Sequence, residues 1–525
     1  MRNKIYYHGD IITMEENSTE AVLIQNGKIG KLGTLKQLQE LDQTAQLVDL
    51  KGHTLMPGFI DSHSHLTALA QVIGLVPLQK CKSIEDITQK MKQADIQYKN
   101  KPGEWIVGFG YDHNFLQEKR HLLKDDLDKI ESQNPMIVVH TSGHMGSVNS
   151  IGLKQLGLTN QTKDPVGGSY GRENGSTELN GYLEENAFIL NTKEMLKKTP
   201  EQMAELIEKA QEIYLQNGIT TVQDGLTKQD SFSFLDYMAN TKRLKVDVVS
   251  YIDIKEKEIL EKNRKYQNQY HNRLKIGGYK QILDGSPQGK TAWLKKPYEG
   301  ESQYCGYPAY SKEKVKRNVE TAYCDTMQIL SHCNGDGAAE QLIEVIDQIQ
   351  KGEDCGKRPV MIHAQIVTKE QIRKMKKLGI IPSFFIAHTY YWGDIHFTNL
   401  GKERAEFISP ANSAKKEGVV YTFHQDSPVI MPNMLETIWC AANRITKKGV
   451  VLGKQEKLEV LDCLKAVTIN SAFQYFEEKE KGSIKEGKVA DLVILDQNPL
   501  KVDKEEIKKL KVLETIKEGI TVFQV

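Results

Sequence analysis

Residues 54–65, TLMPGFIDSHSH, place a short apolar run directly before two histidines. Seven further apolar runs follow along the chain, and most of them lead into helix-like stretches such as AEQLIEVIDQIQKG. The eight runs are 54–63, 218–225, 245–253, 277–285, 326–335, 358–364, 381–388 and 418–426. Near-continuous hydrophobic strands that alternate with helices are typical of a parallel sheet buried on both faces. Eight such units predict an α/β fold, a (β/α)8 barrel of the TIM type.

The gap between the first and second runs is too long for a single crossover connection. It contains two apolar runs of its own, EWIVGFGYD at 104–112 and PMIVVHTSG at 135–143. We therefore predict an inserted subdomain of about residues 66–200 after barrel strand one, within a barrel domain of residues 56–474.

The two ends of the chain share a strand-and-turn pattern. Asn26-Gly27 is a strong hairpin signal near the start, and GSIKEGKVADLVILD near the end places Gly turns between apolar runs. We predict that residues 1–55 and 475–525 form one small β-sandwich domain. Independent β domains at each end are the alternative.

Charge and cysteine usage limit the classes of partner. The chain carries 70 Lys+Arg against 69 Asp+Glu, which argues against a nucleic-acid partner. No apolar stretch of about 18 residues and no secretory signal are present, so we expect no membrane partner and a cytoplasmic location. The 7 cysteines form no CxxC pair, which fits a reducing compartment and excludes a Cys-based zinc site. We expect a small-molecule substrate and consider a homodimer as the assembly.

The ends of the predicted barrel strands carry polar side chains that suit a metal. An HxH pair alone is a weak signal, but the C-terminal rim of a barrel is where active sites are built. The rim residues are His63 and His65, Lys280, His332, His363, His388 and Asp426. Imidazoles with a carboxylate favour one or two catalytic Zn²⁺ ions, with Mn²⁺, Fe²⁺ or Co²⁺ still open.

Two metals close together would need a bridging anion. A buried lysine with a lowered pKa can capture CO₂ and become a carbamate, so Lys280 is the candidate bridge. The alternative is an ordinary lysine paired with Asp284 or with a substrate carboxylate.

These motifs resemble the amidohydrolase superfamily, and in particular its family 3, the YtcJ-like branch that includes N-substituted formamide deformylases. The resemblance covers nearly the whole chain and is carried by PGFIDSHSH, GGYKQILDGSPQGKTAWL, SHCNGDGAAE, KRPVMIHAQIV and GSIKEGKVADLVILDQNP. It implies metal-ligand roles for His63, His65, Lys280, His332, His363 and Asp426. It also implies that Asp426 acts as the proton shuttle.

The chain departs from the family pattern at two positions. His424 stands where the family has a small residue, and Lys290 stands where it has an arginine. By the alternation of a strand, His424 would share a face with Asp426. It could be a hydrogen-bonding partner of a ligand, an extra ligand or a pocket wall.

The substrate pocket is expected to include residues outside the ligand set. AHTYYWGD at 387–394 supplies Trp392 and other aromatic walls, and His388 could polarise a carbonyl or hold an oxyanion. Asp112 and, by resemblance, His144 are further pocket candidates, although a structural hydrogen-bonding role is as good an account of His144.

The reaction expected from these features is hydrolysis of a non-peptide C–N bond by a metal-bound hydroxide. A linear amide such as an N-substituted formamide is the leading substrate class. A cyclic amide, carbamate or ester hydrolase with the same centre is the alternative among enzymes. A catalytically idle regulatory protein that retains the fold is the alternative outside them.

Overall fold

The computed structural model describes residues 2–98, 102–195 and 198–525. The chain divides into two compact units. The first unit consists of Met1–Leu69 and Ile207–Val525, and the second unit is Ala70–Leu206. No helix among the described residues is both long and apolar enough to cross a membrane.

One sheet of the first unit contains eight parallel strands in the order predicted from the apolar runs, numbered one to eight here. The strands are Phe59–Ile60, Ile219–Thr227, Asp247–Asp253, Leu274–Ile282, Gln328–Cys333, Val360–His363, Ile381–Phe384 and Thr422–Phe423. The backbone N–H of Asp426 donates to the carbonyl of His63 at 3.1 Å, and that of His65 to Ser427 at 2.9 Å. The sheet therefore curls until the segments after its first and last strands meet. This confirms the mixed α/β fold with a curled parallel sheet.

The prediction for run 54–63 was wrong in one respect, because this run is not a single barrel strand. Thr54–Pro57 pairs with Leu492–Leu495 in another sheet, and only Phe59–Ile60 belongs to the barrel sheet. The division falls at Gly58, where an added Cβ would lie 2.7 Å from Cγ2 of Thr220. A glycine lets the chain pass this close to its neighbour while it changes sheets.

Several helices of the first unit follow barrel strands directly. Helix Lys369–Leu378, after strand six, begins at a capping box formed by Thr368 and Gln371 and ends at Gly379, whose φ is 65°. The helices of the described chain are Leu35–Leu41, Leu66–Ile73, Ile84–Tyr98, Lys124–Asp128, Ser150–Gln155, Asn186–Met195, Pro200–Gln216, Gln229–Asn240, Glu258–Lys262, Lys312–Cys324, Asp336–Gln350, Lys369–Leu378, His388–Tyr391, Gly393–Glu406, Ala411–Lys416, Met434–Asn443, Val460–Ala466 and Ile469–Gln474.

Two further sheets of the first unit are built from the ends of the chain, the first from N-terminal strands alone and the second from strands of both ends. One has the order Lys28–Gly33, Ala21–Gln25, Lys4–Tyr7 and Gln46–Asp49, and the other Asp10–Ile11, Thr54–Pro57, Leu492–Leu495, Val512–Lys517 and Ile520–Gln524. Their apolar side chains share one core, in which Val22 and Ile24 pack with Leu492 and Ile516. The boundaries 1–55, 475–525 and 56–474 stay predictions.

The terminal sheets connect to barrel strand three through buried charges. Nζ of Lys517 donates to Asp247 at 2.7 Å and to Asp491 at 2.6 Å, and Lys481 also donates to Asp247. All four side chains are buried. Burial of this many charges is tolerated only because each one has a partner of opposite sign.

The second unit contains a six-stranded sheet. Each face of this sheet packs against its own cluster of apolar side chains. Its order is Gly168–Arg172, Leu179–Glu185, Met145–Val148, Met136–His140, Ile106–Tyr111 and Val76–Pro77. The runs 104–112 and 135–143 supply two adjacent parallel strands. The predicted insertion of about 66–200 also includes residues 99–101 and 196–197, which lie outside the described residues, and its bounds stay a prediction.

Candidate metal centre

Three side chains at the rim of the barrel sheet form a first cluster. Nε2 of His65 lies 3.1 Å from Oδ1 of Asp426, and Nε2 of His63 lies 3.4 Å from the same oxygen. Ligand atoms about 3.4 Å apart are what a tetrahedral ion with bonds of about 2.0–2.1 Å requires. The ligand atoms of His63, His65 and Asp426 all lie within 4.8 Å of one another.

The two imidazoles of the first cluster are oriented by bonds on their far nitrogens. Nδ1 of His65 donates to the carbonyl of Gly225 at 2.6 Å, and Nδ1 of His63 donates to Oε1 of Gln223 at 2.5 Å. The Gln223 amide can only accept there, because its NH₂ group donates to Ser62 and Tyr475. Both Nε2 atoms therefore face Asp426, as in metal-ligating histidines.

Electrostatics keeps Asp426 ionised. Burial alone would raise the pKa of Asp426, but the hydrogen bond from His65 and the neighbouring His63 hold this pKa well below its usual value. The reciprocal effect raises the pKa of His65 against its burial. A cation shared by Asp426 and the two Nε2 atoms would satisfy all three groups, so the donor set fits a metal ion.

His332 and His363 form a second cluster on barrel strands five and six. Nε2 of His363 faces Nδ1 of His332 at 3.0 Å, and Nε2 of His332 lies 3.2 Å from the carbonyl of Gly285. Burial, followed by the charge of Lys280, lowers the pKa of His332 to about 4. Burial likewise lowers the pKa of His363 well below its usual value. Neutral imidazoles of this kind are good ligands for transition metals.

Lys280 lies beside the first cluster. It projects from strand four, is 2% exposed, and places Nζ 3.2 Å from Nε2 of His63. Burial lowers the pKa of Lys280 to about 7, against the opposing charge of Asp426. The rim therefore holds an amine that is readily neutral among five possible metal ligands.

The expectation that His424 shares a face with Asp426 stays a prediction. Both side chains lie beside His63, because the ring centroid of His424 is 5.2 Å from that of His63 and Oδ1 of Asp426 is 3.4 Å from its Nε2. However, this arrangement does not come from strand alternation. Strand eight ends at Phe423, and Asp426 has a φ of 55°, which breaks the alternation of a strand. Nε2 of His424 lies 3.2 Å from Nδ1 of His363, on the side of this ring away from His332. Burial, opposed by the charge of Asp426, lowers the pKa of His424 to about 3.

His388 is not at the end of strand seven, as the apolar run had predicted. The strand ends at Phe384, and His388 begins the short helix His388–Tyr391. Its ring packs against Phe385 and Trp392, with centroids 4.7 and 4.5 Å away, and its Nδ1 lies 3.2 Å from Nε2 of His396. Phe385 also packs against His424, so this aromatic group adjoins the second cluster.

Asp112 and His144 lie in the second unit. His144 is largely exposed and its Nδ1 is 3.2 Å from Glu185. Oδ1 of Asp112 accepts from the backbone of Asn114 and lies 3.5 Å from Nε2 of His140.

The carboxylate of Asp112 also belongs to a second group of possible metal ligands, together with His113 and His140. However, the backbone N–H of Ser142 donates to Nδ1 of His140 at 3.1 Å. Nε2 of His140 therefore carries the proton, and a protonated nitrogen does not bind a metal ion, which argues against a metal site in this arrangement.

The sequence reasoning missed two residues that orient histidines of the site, Gln223 and Ser383. Gln223 lies within the run 218–225, and Ser383 accepts from Nδ1 of His424 at 2.9 Å. A polar residue inside a buried barrel strand was the available signal, since such groups need a hydrogen-bond partner.

Residues 46–523 match the model of the amidohydrolase family, and the chain belongs to this family. YtcJ of Bacillus subtilis (strain 168), named as an amidohydrolase, is 26% identical over 540 residues, which cover 99% of each chain. The N-substituted formamide deformylase of Arthrobacter pascens is 23% identical over 543 residues, covering 100% of this chain and 99% of the relative. The crystal structure of an uncharacterized metal-dependent hydrolase from Pyrococcus horikoshii OT3 has a TM-score of 0.77 at 27% identity, covering 96% of this chain and 99% of that chain.

These matches confirm the family that the motifs indicated. Together with the first cluster, they support a metal-dependent hydrolase that uses a divalent ion.

Proposed function

We propose that the chain hydrolyses a non-peptide C–N bond, in a linear amide such as an N-substituted formamide, with one or two Zn²⁺ ions bound at the rim of a closed (β/α)8 barrel. The observation that carries the proposal is the convergence of Nε2 of His63 and Nε2 of His65 on Oδ1 of Asp426, at 3.4 and 3.1 Å. The full-length similarity to an N-substituted formamide deformylase supports the choice of substrate.

The residues that would hold the ions fall into the two clusters described above. His63, His65 and Asp426 would hold one ion, His332 and His363 the other, and a carboxylated Lys280 would bridge them. The ions would supply Lewis acidity for the carbonyl oxygen and lower the pKa of a water molecule.

Asp426 is placed to move the proton of the reaction. The carboxylate is ionised and would therefore have an oxygen free to accept a proton from the attacking water. Its Oδ1 also adjoins both imidazoles of the first cluster, so the accepted proton stays beside the reacting centre. Donation of this proton to the departing nitrogen releases the amine and restores the carboxylate.

His388 is suited to donate a hydrogen bond to the substrate carbonyl. Nδ1 of His396 is buried and has no hydrogen-bond partner. A bare acceptor is tolerated there better than an orphaned N–H, so His396 carries its proton on Nε2 and donates it to Nδ1 of His388. The proton of His388 then lies on Nε2, the nitrogen left for a carbonyl oxygen.

The test is a panel of N-alkyl and N-aryl formamides, cyclic amides, carbamates and esters, assayed with the zinc-loaded chain. We expect formate release from at least one formamide and its loss in Asp426→Asn, which keeps the size of the side chain and removes the ionised acceptor. Turnover confined to cyclic amides, carbamates or esters would reassign the substrate class. Metal binding without turnover of any compound would favour the idle regulatory protein.

A further inference from the structure

The imidazole of His424 belongs to a hydrogen-bond chain whose direction follows from its far end. Oγ of Ser62 lies 2.9 Å from the carbonyl oxygen of Phe423, which can only accept, so the Ser62 hydroxyl donates there. Its single proton is then used, and Ser62 accepts from Oγ of Ser383 at 3.1 Å. Ser383 has also used its proton, and it accepts from Nδ1 of His424 at 2.9 Å.

Among the described residues, the side chains of Ser62, Ser383 and His424 make no hydrogen bonds other than those within this hydrogen-bond chain and the one between His424 and His363. Ser62, Ser383 and His424 are each 0% exposed, so bulk water does not compete for their polar atoms. A buried donor or acceptor left without a partner costs about 1–3 kcal/mol, which favours the one arrangement that satisfies every member.

The direction of the chain fixes the tautomers of two imidazoles. A neutral His424 with its proton on Nδ1 has its lone pair on Nε2, 3.2 Å from Nδ1 of His363. His363 therefore donates from Nδ1 and keeps its own lone pair on Nε2. That nitrogen faces His332 across the second cluster.

We propose that His424 is a positioning residue that holds His363 in the tautomer able to bind a metal ion through Nε2. The hydrogen-bond chain stands on its own geometry, whereas its consequence for metal binding rests on the proposed function. Of the three roles that the sequence left open for His424, this one accounts for both nitrogens. An extra ligand would need a free nitrogen, and a pocket wall would need an exposed ring.

Neutron diffraction from deuterium-exchanged crystals tests the direction of this hydrogen-bond chain without reference to any metal. We expect deuterium on Nδ1 of His424 and on Nδ1 of His363, and none on Nε2 of His424. Deuterium on Nε2 of His424 would overturn the proposal, because His363 could then no longer donate to it.

The effect of His424 on metal binding by His363 is tested by zinc affinity, measured by competition with a chromophoric chelator. Partners of this kind typically contribute 10–100-fold to metal affinity, so in His424→Phe we expect the second zinc equivalent to bind about 10–100-fold more weakly. The first equivalent should be nearly unchanged, because His63, His65 and Asp426 make no hydrogen bond to the substituted ring.

His424→Gln is the matched variant. Its amide oxygen can accept from His363 and its NH₂ group can donate to Ser383, so the second equivalent should bind nearly as in the parent. Ser383→Ala, which removes only the acceptor for His424, should weaken the second equivalent and provides a test if His424→Phe does not fold.

Unchanged affinity in His424→Phe and Ser383→Ala, or an equal loss in His424→Gln and His424→Phe, would overturn the positioning role. If the parent binds no zinc at all, the proposed function fails. The neutron maps then still decide whether His424 sets the tautomer of His363.

Discussion

Nζ of Lys280 lies 3.2 Å from Nε2 of His63, and both side chains are almost fully buried. A charged ammonium beside imidazoles that hold cations would be repelled, so the lysine must be neutral or carry a carbamate at this position. We expect Lys280→Ala to bind at most one metal ion tightly and to lose activity. A short carboxylic acid in solution should restore part of both. Metal analysis and turnover of the variant with and without the acid make the test, and two tightly bound ions with full turnover would exclude the bridge.

Removal of either histidine of the first cluster should remove metal without unfolding the barrel. In His63→Ala and His65→Ala, one of the atoms that converge on Asp426 is lost, while strand one, which precedes both residues, keeps its pairing. We expect loss of metal and activity with an unchanged far-ultraviolet circular dichroism spectrum. His8→Ala is the control, because His8 is exposed and bonds Asp49 in a terminal sheet. Equal metal content in the parent and both cluster variants would contradict the assignment.

The terminal strands should depend on one another for stability. Leu492–Leu495 pairs directly with Thr54–Pro57, so deletion of the last 45 residues, 481–525, would leave that strand with an open edge. Hydrogen exchange should then show faster exchange of the backbone amides of residues 54–56. Unchanged protection of these amides in the truncated chain would mean that the N-terminal strands are held by other contacts.

The buried charges under barrel strand three should be costly to disrupt. Lys517→Met leaves Asp491 without this cation and Asp247 with one cation fewer, and we expect a loss of about 3–5 kcal/mol in the free energy of unfolding. Lys501→Met is the matched control, because Lys501 pairs with Asp10 at the surface and should contribute less than about 1 kcal/mol. Urea denaturation of both variants makes the comparison, and equal losses would contradict it.

The same network predicts a pH dependence of stability. Burial alone would raise the pKa of Asp247, but Lys481 and Lys517 hold this pKa below the value it has in the unfolded chain. At low pH the unfolded state therefore binds more protons, and the stability from Asp247 is full above the unfolded pKa and is lost as the pH falls below it. Urea denaturation across pH 3–7, about the range in which carboxyl groups titrate, should show a smaller acid-induced loss in Asp247→Asn than in the parent. Equal losses would contradict this role of Asp247.

The order of the barrel strands could be predicted from the sequence because each apolar run encodes a strand buried on both faces. Periodicity could not show where a run changes sheets, since run 54–63 divides at Gly58 only because Thr220 approaches the chain there. His63 and His65 could be paired from their spacing. The partners of His424 could not be found in this way, because Ser383 and His363 lie on other strands, 41 and 61 residues away in the chain.

The ligand set was accessible from the sequence where polar residues lie within an apolar run or directly after it. Lys280, His332 and His363 lie within strands four, five and six and were found in this way. Gln223 and Ser383 act through hydrogen bonds between side chains that are 160 and 41 residues apart in the chain. Such pairs become visible only when the sheet brings their strands together.

The central claim is a metal centre built from His63, His65, Lys280, His332, His363 and Asp426. Anomalous X-ray diffraction at the zinc absorption edge, from crystals of zinc-loaded protein, tests it most directly. We predict one peak among His63, His65 and Asp426 and a second beside His332 and His363, with added density on Nζ of Lys280 between them. The absence of any anomalous peak among these six residues, with zinc bound elsewhere or not at all, would contradict the account.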